Sequence, residues 1–70
     1  MANDLTRITV NLIPGAASAL EEAASIEELS QTDTVNRALR VYEFIVKQKA
    51  FGKELLLRDK RGALEKVHIV

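Results

Sequence analysis

A single stretch of alternating apolar and polar residues near the N-terminus constrains this chain more than any other feature. Within residues 5–12, apolar side chains recur at every second position, at Ile8, Val10 and Leu12. The residues between and before them are polar: Arg7, Thr9 and Asn11. This period of two predicts a β-strand with one buried face. A lone strand is not stable and no second strand follows within hairpin distance, so its partner must come from a distant segment or from another chain.

The length of the chain favours another chain as that partner. Its 70 residues make one small domain at most, and a monomer of this size buries too little surface to be comfortably stable. There are no cysteines to cross-link it, and the single His leaves no basis for a structural zinc site. We therefore expect an obligate oligomer without disulfides, metal or other cofactor.

The apolar content separates this chain from two other classes of protein. A hydrophobic fraction of 47% is too high for a disordered chain. No apolar run approaches the roughly 20 residues that cross a bilayer, and no basic segment precedes an apolar one as in a signal peptide. We expect a soluble, cytoplasmic protein that does not bind membranes.

Two helices are predicted after the strand, which Pro14-Gly15 ends. Residues 16–27 are rich in Ala, Leu and Glu and form the first helix, with Pro14 tolerable in its first turn. The apolar side of this helix is predicted at Ala16, Leu20, Ala23 and Ala24. Ser30 begins a pattern similar to a capping box, with Asp33 at the third helical position.

The second helix is predicted to run from this cap to about Phe51, where Gly52 ends it. Its apolar stripe consists of Val35, Ala38, Leu39, Tyr42, Ile45 and Val46.

The segment 53–70 is predicted to form a β-hairpin. Its apolar residues alternate in two short runs, Leu55 and Leu57, then Val67 and Ile69. Asp59 at the first position of the intervening turn and Gly62 at the fourth favour a type I turn with Gly62 in the left-handed conformation. The resulting register sets Leu55 opposite Val67 and places Leu57 and Ile69 on the same face.

Strand, tight break and two helices together resemble the ribbon-helix-helix family of DNA-binding proteins, of the Arc/MetJ type. The resemblance covers about residues 5–51 and rests on Arg7-Ile-Thr-Val-Asn-Leu12, Pro14, Leu29-Ser-Gln-Thr-Asp-Thr-Val-Asn-Arg-Ala-Leu39 and Tyr42. It implies a mainly α fold with an N-terminal β-strand, in an intertwined homodimer whose strands pair as an intermolecular antiparallel ribbon. The domain would span residues 1–52, and residues 53–70 would be a C-terminal extension that the family does not require.

In that family the ribbon enters the major groove of double-stranded DNA. The base-reading positions correspond to Arg7, Thr9 and Asn11. Arg can form two hydrogen bonds to guanine, Asn can form two to adenine, and Thr can offer its hydroxyl or meet a thymine methyl. The alternative is an ordinary solvated strand face.

A second site is implied at the start of the second helix, where free N–H groups and the positive dipole end can anchor a phosphate. The family's anchoring residues correspond to Ser30, Gln31 and Thr32. The alternative is that Ser30 only caps the helix, and Asp33 would place a carboxylate near the phosphate. The dimer core implied by the resemblance comprises Ile8, Val10, Leu12, Val35, Ala38, Leu39 and Tyr42.

Two residues depart from the family pattern. Glu28 stands where the turn between the helices usually has Gly or a small polar residue, which predicts a non-Gly residue at positive φ. Ile13 resembles one extra residue before Pro14.

Charge is unevenly distributed along the chain although the net charge is zero. Residues 1–33 hold one cation and six carboxylates, whereas residues 34–70 hold nine cations and four carboxylates. A locally basic surface is therefore compatible with the sequence, while the neutral total predicts weak non-specific DNA binding.

The leading hypothesis is a homodimeric, sequence-specific transcriptional regulator, most simply a repressor, and further association of dimers on DNA stays open. One alternative is an antitoxin-like module whose residues 53–70 bind a protein partner. Another is an assembly protein that stacks dimers through the edge of the hairpin. Packing of the hairpin on the second helix would favour the regulator, whereas an exposed apolar hairpin would favour a partner. No residue pattern supports catalysis, so we expect no enzyme.

Overall fold

The computed structural model describes residues 4–69, which form two helices followed by one antiparallel hairpin. The elements are α1 (Pro14–Glu27), α2 (Gln31–Ala50), β1 (Leu56–Arg58) and β2 (Leu64–Lys66). The chain forms two compact units, Met1–Thr34 and Val35–Val70. A mainly helical chain with a small antiparallel sheet agrees with the coarse prediction.

Helix α1 begins at Pro14, two residues before the predicted start. Proline suits the first helical position, because its missing N–H would have no partner there. Ile13 before it is extended (φ −67°, ψ 157°), and its carbonyl accepts the first helical hydrogen bond from the Ala17 N–H at 2.9 Å.

The inner side of α1 is only partly the predicted one. Leu20 and Ala24 are half-buried, but so is Ala17, whereas Ala16 and Ala23 are exposed. The prediction for those two residues was wrong because alanines occur on several sides of this helix. Periodicity alone therefore cannot choose its inner face.

Helix α1 ends in a Schellman motif with a glutamate in the left-handed position. Glu28 has φ 54° and ψ 46°, as predicted from its place in the turn. The Leu29 N–H donates to the Ala24 carbonyl at 2.9 Å, and the Glu28 N–H donates to the Ser25 carbonyl at 3.3 Å. These two bonds satisfy the last carbonyls of the helix and turn the chain toward α2.

Helix α2 also ends in a Schellman motif, with a glycine in the left-handed position. Gly52 has φ 83°, and its N–H donates to the Lys49 carbonyl at 2.9 Å. The Lys53 N–H donates to the Gln48 carbonyl at 3.2 Å. The helix stops at Ala50, one residue before the predicted end, because these bonds replace its regular ladder.

The predicted hairpin and its register are confirmed. Leu57 is opposite Glu65 in the ladder, and the Val67 N–H donates to the Leu55 carbonyl at 2.9 Å, so Leu55 faces Val67. The turn is closed by a bond from the Gly62 N–H to the Asp59 carbonyl at 3.1 Å. Gly62 has φ 91°, the positive value predicted for a turn followed by a bulge.

Residues 4–13 belong to neither a helix nor a strand. A strand is defined by its hydrogen-bonded neighbour, and the only strands that pair within residues 4–69 are β1 and β2. The described part of the chain therefore holds no partner for the predicted strand of residues 5–12, and its pairing across a dimer stays a prediction.

No hydrophobic side chain is buried anywhere between residues 4 and 69. The one buried residue of this range is polar, Thr34 with 7% of its surface exposed. Both helices and the hairpin are formed, but residues 4–69 hold no buried hydrophobic core to stabilise them.

Candidate nucleic-acid interface

The predicted base-reading side chains, Arg7, Thr9 and Asn11, are all exposed in the first compact unit. The apolar residues that alternate with them are exposed as well, Ile8 by 65% and Val10 by 63%. The single chain thus does not distinguish the two sides of this segment. In a strand, alternation alone would place the polar and apolar residues on opposite faces.

Ser30 caps helix α2, as its sequence pattern predicts. Its Oγ accepts a hydrogen bond from the Asp33 N–H at 3.0 Å, and its carbonyl accepts the first helical bond from the Thr34 N–H at 3.0 Å. The cap satisfies the N–H of the third helical residue. A phosphate at this terminus would therefore bind the first turn ahead of Asp33, where Gln31 and Thr32 lie exposed.

Thr34 completes this cap and was not predicted. Its Oγ1 donates to the Ser30 carbonyl at 2.8 Å, so that oxygen accepts two bonds from one residue. Threonine often bonds the carbonyl four residues earlier in a helix. Its burial, however, depends on how the first unit folds, and no local pattern marks it.

The electrostatics of this helix start are mixed. Asp33 lies in the first turn of α2, where a carboxylate complements the positive end of the helix dipole. The same carboxylate would oppose a phosphate at that end. Lys47 and Lys49 lie in the last turn, where cations complement the negative end of the dipole.

The residues of α2 predicted for the dimer core lie open in the single chain. Leu39 and Tyr42 are more than half exposed, and Val35 and Ala38 are exposed as well. With Val46 they form a continuous apolar stripe, since their spacing of three and four residues keeps them on one side of a helix. Their place in a dimer core stays a prediction.

Phe44, which the predicted apolar stripe of α2 left out, lies beside Ile45, which that stripe included. Phe44 and Ile45 line a cleft of about 190 Å³ together with Leu55, at the start of the hairpin. Phe44 is two residues from Tyr42, about 200° around the helix axis, so the two rings leave the helix on different sides. Leu55 shares this cleft with α2, whereas Val35, Leu39 and Tyr42 of the predicted stripe stay exposed.

Part of the apolar surface of the hairpin is half-buried within the second unit. Leu55, Val67 and Ile69 are half-buried, whereas Leu57 on the same face is exposed. An ion pair between Lys66 Nζ and Glu54 Oε2 at 2.7 Å joins the two sides of the hairpin. The hydrogen bond from Lys66, together with the positive charge of Lys66, lowers the pKa of the Glu54 carboxyl.

Among residues 4–69 no group of three or more acidic or histidine side chains could hold a metal ion. Within the same range, neither helix has the length and apolar composition needed to cross a membrane. Comparison with protein-family models, with curated proteins and with solved structures finds no match to this chain.

Proposed function

We propose that this chain is a homodimeric, sequence-specific DNA-binding transcriptional repressor without enzymatic activity. The observation that carries the proposal is the lack of any buried hydrophobic residue between positions 4 and 69. Hydrophobic burial is the main favourable term in folding, so helices with exposed apolar stripes need another surface against which to pack.

A second copy of the chain fits that need. The alternating segment 5–12 lacks a strand partner among residues 4–69, and two copies of it can pair antiparallel about a two-fold axis. The stripe of Val35, Leu39 and Tyr42 supplies apolar surface for the helices to pack beneath such a ribbon. Burial of Ile8 and Val10 against it would give each chain the core it lacks.

The outer face of such a ribbon has the chemistry that reads bases. With Val10 turned inward, Arg7, Thr9 and Asn11 would lie outward, and the two-fold axis would double them. Arg and Asn side chains are suited to paired hydrogen bonds with guanine and adenine in the major groove. The first turn of α2, with Gln31 and Thr32, would add phosphate contacts that fix the register without reading sequence.

The charge balance supports specific over non-specific binding. The net charge of zero provides little general attraction to the DNA polyanion. Affinity must then come from a small number of well-placed contacts, so we expect a large ratio between operator and random-sequence affinity.

The hairpin bears on the alternatives that rest on residues 53–70. Three of its four predicted apolar side chains are half-buried, and Leu55 lines the cleft with Phe44 and Ile45 of α2. Leu56, Leu57 and Leu64 are exposed, so a protein partner for this extension stays the alternative to the regulator.

The test is DNA binding by fluorescence anisotropy, with duplexes from upstream of the protein's own gene and a shuffled duplex. Arg7→Ala and Asn11→Ala should each reduce operator affinity by about 1–3 kcal/mol per lost base contact, with both chains contributing. Thr32→Ala should weaken operator and shuffled duplex alike, because phosphate contacts carry no sequence information.

Arg40→Ala is the matched control, since Arg40 is an exposed arginine of α2 outside the proposed site. It should leave the operator preference unchanged. If Arg7→Ala and Asn11→Ala bind the operator as tightly as wild type does, the strand is not the reading surface. A folded monomer of 7.8 kDa in sedimentation at micromolar concentration would refute the dimer.

A further inference from the structure

The turn of the hairpin concentrates cations that no carboxylate neutralises. Arg58, Lys60 and Arg61 lie within four consecutive positions and are all exposed. No ion pair to any of the three is formed among the described residues. We call Arg58, Lys60 and Arg61 the hairpin tip.

The carboxylates of the second unit are largely engaged elsewhere. Glu43 pairs with Lys47 at 3.0 Å, and Glu54 pairs with Lys66 at 2.7 Å. Glu65 lies opposite Leu57, and alternation along β1 places Arg58 on the other face of the hairpin. None of these three acids is positioned to neutralise the hairpin tip.

The carboxylate of Asp59, within the turn itself, accepts hydrogen bonds from the backbone. Its Oδ1 accepts hydrogen bonds from the Arg61 N–H at 2.8 Å and from the Ala63 N–H at 3.0 Å. The Asp59 N–H in turn donates to the Ala63 carbonyl at 3.0 Å. The carboxylate therefore holds the turn in shape, and the cations project from a preorganised loop.

From this arrangement we infer that the hairpin tip is a second DNA-binding surface, which contacts backbone phosphates of the duplex. The inference rests on the proposed function and deepens it. Exposed guanidinium and ammonium groups without a carboxylate complement a polyanion, and a dimer carries two such tips. Residues 58–62 hold no large apolar or aromatic side chain, but Leu57 and Leu64 beside them are exposed, so a lipid surface is the alternative that the vesicle measurement tests.

The tip would add affinity without sequence preference. Release of counterions makes the logarithm of the binding constant fall with the logarithm of salt concentration, by about 0.9 for each phosphate contact in B-DNA. Loss of Lys60 and Arg61 from both chains removes up to four such contacts. The slope should therefore become shallower by up to about 3.6, while the ratio of operator to shuffled affinity stays the same.

The experiment measures this slope by anisotropy between 50 and 300 mM NaCl, roughly the range in which such contacts are lost. It compares the wild type with Lys60→Ala/Arg61→Ala, which keeps the backbone bonds of the turn. Lys47→Ala/Lys66→Ala is the matched control. It removes the same formal charge, but from cations already paired with Glu43 and Glu54. A shallower slope in the tip variant alone is the expected result.

An unchanged slope in the tip variant, with operator binding intact, overturns the inference and leaves the proposed function standing. Aggregation of that variant with an unchanged slope would assign the cations to protection of the sheet edge instead. Loss of binding to phosphatidylserine vesicles with an unchanged slope would assign them to a lipid surface. If the wild type binds no duplex at all, the proposed function fails and the inference fails with it.

Discussion

Replacing Glu28 by glycine should stabilise the protein, although it removes a side chain from the end of a helix. Glu28 closes the Schellman motif of α1 with φ 54° and ψ 46°, a left-handed conformation in a residue that has a Cβ. That conformation costs an ordinary L-residue roughly 1–2 kcal/mol. Glycine avoids the penalty, so the native turn should form with less strain.

Two other contributions change the free energy of unfolding gained by Glu28→Gly. Glycine makes the unfolded chain more flexible, which offsets roughly 0.4–1 kcal/mol of the gain. The substitution also removes a negative charge from the negative end of the α1 dipole, which adds about 0.3–1 kcal/mol at low salt. Glu28→Ala removes the charge but keeps a Cβ at positive φ, so it isolates the dipole contribution.

We therefore expect Glu28→Gly to be more stable than Glu28→Ala by about 0.5–1 kcal/mol. The converse change is available in the same chain at the end of α2. Gly52 has φ 83°, and a Cβ there would meet no other atom within 4 Å. Gly52→Ala should thus lose about 0.5–1 kcal/mol through backbone conformation alone, without a steric clash.

Urea denaturation followed by circular dichroism at one fixed protein concentration measures these differences, because association makes apparent stability depend on concentration. In thermal melts, a gain of 1 kcal/mol should raise Tm by about 4–8 °C for a domain of this size. If Glu28→Gly is no more stable than Glu28→Ala, the strain assigned to the left-handed glutamate is wrong.

Three further predictions follow from other parts of the chain. Val10→Asp should abolish dimerisation and cooperative folding, because it places a charge in the proposed core, and sedimentation with circular dichroism would show it. Ser30→Ala should cost about 0.5–2 kcal/mol in urea denaturation, and Ser30→Asp should restore most of it by capping the same N–H. The pKa of Glu54, lowered by Lys66, should return toward its ordinary value in Lys66→Ala when followed by NMR. Because the folded pKa lies below the unfolded one, the contribution of this pair is present above the unfolded pKa and is lost as pH falls through the folded pKa.

The features that were predicted correctly are those set by neighbouring residues. Ser30 caps α2, Glu28 takes positive φ, and Asp59 with Gly62 forms the bulged turn that sets the hairpin register. Each depends on hydrogen bonds and steric limits within about five residues. The amino-acid order at those places is sufficient to determine them.

Features that involve surfaces distant in sequence were decided by the tertiary structure. Ala17 rather than Ala16 is half-buried in α1, and Thr34 is buried, although no local pattern marks either residue. Phe44 and Leu55 likewise line one cleft although they are distant in sequence, and Phe44 is still 62% exposed there. Periodicity shows that a helix has apolar sides, but the partner of each side is chosen by the path of the chain.

The alternating segment 5–12 has no strand partner among residues 4–69, and its pairing with a second chain stays a prediction. If this segment pairs as a strand, the sequence alone places Ile8 and Val10 on one face and Arg7 and Asn11 on the other. It does not determine which surface covers the apolar face, and in the single chain both residues stay exposed. A hydrophobic residue is buried only by other atoms, and none within residues 4–69 bury these two, so their burial would have to come from the proposed dimer.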